Sequence, residues 1–274
     1  MTQLLIIGGS DAGISAALRA RELDPAVEIT IVLADNFPNY SICGLPFYLS
    51  GEVTDWHNLA HRKAEDITSL GINLLMNHWA ESIDPAKKKV TVKTPDGSTK
   101  ILTYDKLIVG TGGTSVKPPI QGLDLPGVYP LRWMADSFAV HKHLTDKSPK
   151  HAVIIGAGYI GLEMADALTL RGLSVTLIQR SESILKTIDP SLSQLVADEL
   201  EKHGVEVVTG VNIDRIEQKG ERLLVADAKG FERVTDLVIV AVGVNPSTHL
   251  AQTAGVKLRI NGAIQVNRRM KTNI

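Results

Sequence analysis

A chain of 274 residues is long enough for two domains of ordinary size. Its 44% hydrophobic content is that of a globular protein, and 29 basic against 30 acidic residues leave a net charge of -1, so charge gives no reason to expect a nucleic-acid or polyanion partner. Met1–Leu5 has no basic lead-in, no apolar stretch is long enough to span a bilayer, and there is one cysteine, which together point to the cytoplasm.

Residues 3–35 read as strand, glycine turn, helix and strand: QLLIIGGSDAG, then ISAALRAREL with helical spacing, then the β-branched EITIVLAD ending in an acid. NYSICGLPFY, residues 39–48, holds Cys43, which no second cysteine in the chain can pair. It is either a small buried hydrophobe or a redox centre whose partner lies outside the polypeptide. The pattern predicts a helix over 58–70 and a short strand in GINLLMN. KKVTVKTPDGSTKILTYDKLIVGTGG predicts two strands around a DG turn and then a buried strand, with Lys87–Lys89 as a solvated strand entrance. The proline-rich KPPIQGLDLPG reads as a crossing between domains. At His151 the order restarts as HAVIIGAGYIGLEMADALTLRGLSVTLIQR, again strand, glycine turn, helix, strand. Asp189-Pro190 caps and opens a helix in SLSQLVADELEKHG, and VEVVTG, RLLVADA and DLVIVAVG follow as strands. Two such units predict an α/β protein with two Rossmann-like dinucleotide-binding domains, parallel sheets and antiparallel hairpin additions.

GAGYIG supplies Gly156, Gly158 and Gly161, the full G-x-G-x-x-G between a strand and a helix. The first glycine permits the tight turn, the second lets a pyrophosphate approach the backbone, and the third lets helix and strand pack closely. The helix N-terminus then favours phosphate. GGSDAG keeps Gly8, Gly9 and Gly13 but has Ser10 at the second glycine, so Ser10 or Asp11 must stay clear of the phosphates. Asp35, about 20 residues beyond Gly13, suits a ribose hydroxyl pair. The comparable place in the second unit holds Gln179 and then Arg180, a pair that tolerates a 2′-phosphate and leans towards NADPH. His57 with His61, and His141 with His143, have no third ligand at a metal spacing and read as surface or core residues, with no metal site.

Two fingerprints and one cysteine shortly after the first unit resemble the flavin- and pyridine-nucleotide-dependent disulfide oxidoreductases. Within them the chain is similar to the single-cysteine branch of coenzyme A disulfide reductases, persulfide reductases and NADH oxidases or peroxidases. Cys43-Gly44-Leu45-Pro46 with Phe47-Tyr48 resembles that branch's active-site stretch. LIVGTGG, with Thr111 and Gly112, resembles the motif closing the first FAD segment, and AVGVNP, with Gly243, resembles the segment returning to the FAD domain. The resemblance implies FAD on the first fingerprint, NAD(P)H on the second around Ile160, and Glu163 near the flavin–nicotinamide contact. It implies an FAD-binding segment over 1–115, an NAD(P)-binding domain over 116–245 and an incomplete return to the FAD domain over 246–274. Electrons would pass from NAD(P)H through FAD to a small disulfide, persulfide or other oxidant at Cys43.

The departures are specific. Pro38 and Tyr48 stand where two-cysteine members carry the second cysteine, Asp11 stands where many oxidases and peroxidases carry a histidine, and Asn39 replaces a serine. The family's spacing puts the ribose acid near Leu33, so Asp35 requires a locally longer strand. GAIQVNRRMKTNI resembles the lead-in to a second FAD motif whose aspartate strand end, and the dimerisation domain beyond it, lie outside these residues. The expectation is therefore weak FAD binding and a monomer, where longer relatives are homodimers.

Overall fold

A computed structural model describes all residues, 1–274, and its elements follow the apolar runs of the sequence. The first stretch gives β1 (Gln3–Ile7), α1 (Asp11–Leu23) and β2 (Glu28–Val32), and the cysteine segment gives a 3-10 turn (Ile42–Gly44) and α2 (Leu45–Ser50). Then come α3 (Ala64–Thr68), β3 (Ile72–Leu75), β4 (Trp79–Asp84), β5 (Lys89–Lys93), β6 (Thr99–Thr103), β7 (Lys106–Val109) and β8 (Gly113–Ser115). Next are β9 (Val128–Pro130), α4 (Met134–Lys147), β10 (His151–Ile155), α5 (Tyr159–Leu170), β11 (Ser174–Ile178), α6 (Pro190–Lys202) and β12 (Glu206–Val208). Strands β13 (Arg215–Lys219), β14 (Arg222–Ala226), β15 (Glu232–Thr235), β16 (Leu237–Val240) and β17 (Val244–Pro246) and helix α7 (His249–Thr253) follow. No helix is long and apolar enough to cross a membrane.

The chain divides into two compact units, one of residues 1–41, 57–114 and 245–274, the other of 42–56 and 115–244. In the first, four parallel strands lie in the order β3-β2-β1-β7, with Leu4 opposite Ile29 and Ile6 opposite Ile31. Both faces of β1 are covered, which is why its sequence is an unbroken apolar run rather than an alternation. Leu4 and Ile6 join Ile14 and Ala17 of α1 and Ile67 of α3, while Leu5 and Ile7 join Val90 and Val92 of the antiparallel sheet β4-β5-β6. The second unit repeats the plan with the parallel order β12-β11-β10-β16-β9. Val153 and Ile155 of β10 pack with Ile216, Leu223 and Val225 of the antiparallel sheet β13-β14-β15, and α5 packs against β10 and β11.

The Asp189 cap is as expected: its Oδ1 accepts from the Ser191 amide at 2.9 Å, with Pro190 opening α6. Other expectations need correction. The helix over 58–70 is instead a 3-10 turn (Trp56–Leu59) and the short α3. Between them Ala60 bridges to Tyr40 and the His61 amide donates to Asn39 O, which draws the backbone out of helical geometry. Strand β7 is half-buried because it is the outermost of its sheet. KPPIQGLDLPG follows the unit boundary at 114/115, and its Ile120, Leu123 and Leu125 pack on the second unit's core. Residues 42–56, expected within the first nucleotide-binding segment, cluster with the second unit. Helix α4 and strands β4, β13 and β15 carry mixed or charged faces that gave no clear period in the sequence.

Candidate functional site

The GAGYIG turn is shaped by contacts that only glycine permits. Gly156 sits at φ 108°, its amide donates to Ile178 O at 2.8 Å, and a Cβ there would meet Ala241 O at 2.5 Å. A Cβ on Gly161 would lie 1.9 Å from Gly156 O, so helix and turn touch backbone to backbone. Gly158 differs: a Cβ there would meet nothing within 4 Å, and the residue is exposed. It is the N-cap of α5 with no side-chain cap, so the first helical amides of Tyr159, half-buried Ile160 and Gly161 are left for a ligand. Gln179 follows β11 directly; its Oε1 accepts from the Ala157 amide at 3.4 Å and its Nε2 donates to Ser181 Oγ at 2.9 Å. Arg180 is exposed. Glu163 lies on the exposed side of α5, where partial burial pushes its carboxyl up. Gly243, at φ 122°, accepts from the Val116 amide at 2.9 Å as the chain leaves the unit.

The GGSDAG turn has the same backbone. Gly8 is at φ 112°, its amide donates to Val32 O at 2.8 Å, and a Cβ on Gly13 would lie 1.9 Å from Gly8 O. Ser10 is the N-cap of α1, without a side-chain cap, and is exposed in the place of Gly158. Asp11 is turned away: its Oδ1 accepts from Asn39 Nδ2 at 2.8 Å, and Asn39 Oδ1 accepts from Arg62 at 3.3 Å. Asn39 is buried, with φ 55°, and its amide donates to Gly9 O at 2.9 Å, so it ties the turn to the segment leading to the cysteine. That role is tertiary and had no signal in the sequence beyond an unusual asparagine. Strand β2 ends at Val32, and the position matching Gln179 is Leu33, buried against the place where Gly9 has no Cβ. Asp35 lies beyond the strand, not at the end of a longer one. Its Oδ1 accepts from the Phe37 amide at 2.9 Å, and burial pushes its carboxyl up despite that bond. Thr111 Oγ1 donates to Ser247 O at 2.5 Å, and Gly112, at φ 63°, accepts from the Ser247 amide at 2.9 Å.

Cys43 is exposed, in the 3-10 turn that runs into α2, which rules out the buried-hydrophobe reading. Helix α2 is firmly seated. Its Tyr48 ring stacks on His141 at 4.6 Å and meets Phe138 edge-on, and Arg171 donates to Leu49 O at 3.2 Å. Burial first, and Arg171 second, hold His141 below its ordinary value, so the ring stays a neutral stacking partner. Tyr48 and Arg171 are far in sequence from Phe138 and His141, and no motif announced that they meet.

Two copies of one phosphate-ready turn and an exposed cysteine agree with the comparison to known families, where the match to pyridine nucleotide-disulphide oxidoreductases runs over residues 2–274. The chain belongs to that family. Among the family's characterised members it is 35% identical over 280 residues to the CoA-dependent NAD(P)H sulfur oxidoreductase of Pyrococcus furiosus, covering 99% of this chain and 61% of that one. The NAD-dependent persulfide reductase of A. fulgidus superposes with a TM-score of 0.95 at 34% identity, covering 99% of this chain and 51% of its own. An engineered water-forming NADPH oxidase bound to NADPH, derived from the Lactobacillus brevis enzyme, superposes with a TM-score of 0.92 at 29% identity, covering 98% of this chain and 60% of its own. The chain spans about 60% of the length of the curated pyridine nucleotide-disulphide oxidoreductases it matches.

Proposed function

We propose that the chain binds FAD at the Gly8–Gly13 turn and NAD(P)H at the Gly156–Gly161 turn, and serves reduction of a small disulfide or persulfide at Cys43. Both turns suit a pyrophosphate: each opens a helix without a side-chain cap. FAD held at the Gly8–Gly13 turn would supply two-electron transfer between NAD(P)H and sulfur. The exposed lone thiol is the observation that carries the reading. As a thiolate, Cys43 attacks one sulfur of the substrate, forms a mixed disulfide and expels the other sulfur as a thiolate. The two electrons from NAD(P)H then cleave the mixed disulfide, which releases the second thiolate and restores Cys43. Ring stacking of Tyr48 on His141 and the Arg171 bond hold α2, and so fix where the sulfur is presented. The reading is of a cytoplasmic enzyme acting on small molecules.

Oxidase chemistry on the same scaffold is the second reading, favoured by the structural likeness to a water-forming oxidase. Asp11, held by Asn39, is a carboxylate where a histidine serves many oxidases, and it supports the disulfide reading. The test is Cys43→Ser, with a visible spectrum to report flavin. Serine keeps the size but supplies no thiolate, so flavin bands should persist while NAD(P)H oxidation driven by coenzyme A disulfide falls to background. Undiminished turnover with the disulfide would reject the redox role, and rapid consumption with oxygen alone would select the oxidase.

A further inference from the structure

The two glycine turns differ in charge at the residue that opens each helix. Asp11 begins α1 and Tyr159 begins α5, so only the first turn carries an acid there. Ser10 provides no side-chain cap, and the first amide bonded within α1 is that of Ile14, which donates to Ser10 O at 3.0 Å. The amides of Asp11, Ala12 and Gly13 are thus left for a ligand. A carboxylate on this exposed rim competes with a phosphate for the same positive helix end.

Asn39 meets that charge from inside the fold. It is 3% exposed, and each of its polar groups has a partner. Its amide donates to Gly9 O at 2.9 Å and its carbonyl accepts from the His61 amide at 3.0 Å. In the side chain, Nδ2 donates to Asp11 Oδ1 at 2.8 Å and Oδ1 accepts from Arg62 at 3.3 Å. An anion on one side and a cation on the other fix which end of the side-chain amide is which. Its φ of 55° is a conformation that asparagine tolerates better than most residues. A buried amide therefore links two exposed charged residues, and what it fixes is the direction of a carboxylate.

Resting on the flavin reading of the first turn, we propose that Asn39 is a positioning residue for FAD, holding the Asp11 carboxylate off the open helix end so that the diphosphate has those amides to itself. Arg62, bonded to the other end of the same amide, polarises it and strengthens its bond to the carboxylate. Without the Nδ2 donor, the carboxylate is free to turn to the amides of its own helix end, where it repels the diphosphate. The second turn needs no such partner, because α5 has no acid in its first turn.

FAD titration of the full chain, followed by flavin fluorescence, tests this without turnover. Asn39→Gly deletes the side chain while permitting the positive φ and both main-chain bonds. It should weaken FAD about tenfold, the size of one charge contact near a protein surface. Adding Asp11→Asn to that variant should bring the affinity back to within about twofold of wild type, and Asp11→Asn alone should stay within the same range. Wild-type affinity in Asn39→Gly, or a defect that Asp11→Asn does not relieve, would overturn the positioning role and leave the flavin site standing. A gain of about tenfold in Asp11→Asn with Asn39 in place would do the same, because the carboxylate would then already oppose the diphosphate. That arm decides the matter even where Asn39→Gly does not fold. A wild-type chain that binds no FAD would overturn the flavin reading and this role together.

Discussion

The two glycine turns have one backbone and different tenants. Gly8 and Gly156 share the same positive φ, the same bond to the end of the second strand, and the same Cβ-forbidding approach by the third glycine. They differ where a ligand would lie. The second has open space at Gly158 and the neutral Gln179 at the strand end, and the first has Ser10 and Leu33 there. The difference shows that the turn's geometry is fixed by the chain's own packing, while the choice of nucleotide is left to the few side chains that do not participate in that packing.

The strongest way to break this equivalence is to add one methyl group to each third glycine. Gly13→Ala and Gly161→Ala both force a Cβ onto a carbonyl oxygen 1.9 Å away. Each should cost about 1–3 kcal/mol, measured by denaturant titration, because helix and turn must move apart to admit the methyl group. Full stability of either variant would mean the two turns are not held by the same contact.

Gly158→Val should act differently. A Cβ there meets nothing within 4 Å, so the melting temperature should hold while nucleotide affinity falls about a hundredfold or more through lost pyrophosphate space. Equal affinity for NADPH in wild type and variant, by titration, would remove the assignment. Ser10→Gly, the reverse change in the first unit, should leave flavin binding intact.

A weaker contrast is in pH. His141 and His143 of the second unit are both held below their ordinary 6.5, mainly by burial. The unfolded chain therefore takes these protons more readily, and the stability present above about 6.5 is lost as pH falls below it. In the first unit the burial-raised carboxyl of Asp35 has the opposite sign, because protonation as pH falls towards 3.8 favours the folded form. Signals from Tyr48 and its neighbours should accordingly loosen on acidification before those of the first sheet do. Simultaneous loss in a pH titration followed by NMR would contradict this.

The smallest expected effect concerns Asp35. One of its oxygens is taken by the Phe37 amide, which leaves the other for a ribose. Asp35→Asn should weaken flavin binding about fivefold, near 1 kcal/mol for a hydrogen bond altered at a partly exposed site. An unchanged flavin dissociation constant would assign the aspartate to its own turn alone.

The sequence by itself determined the two strand–turn–helix–strand units, because buried parallel strands are apolar runs and a backbone-to-backbone approach admits only glycine. Gly8, Gly13, Gly156 and Gly161 carry that constraint locally, and so does the Asp189-Pro190 start of α6. The exposed state of Cys43 was open in the sequence, since a lone cysteine has the same spelling in a core and at a surface. Tertiary structure decided it by setting α2 on His141 and Arg171, residues remote in the chain. It also placed Asn39 under Asp11. These pairings arise from side chains that meet only after the sheets form, and no period or spacing along the chain records them.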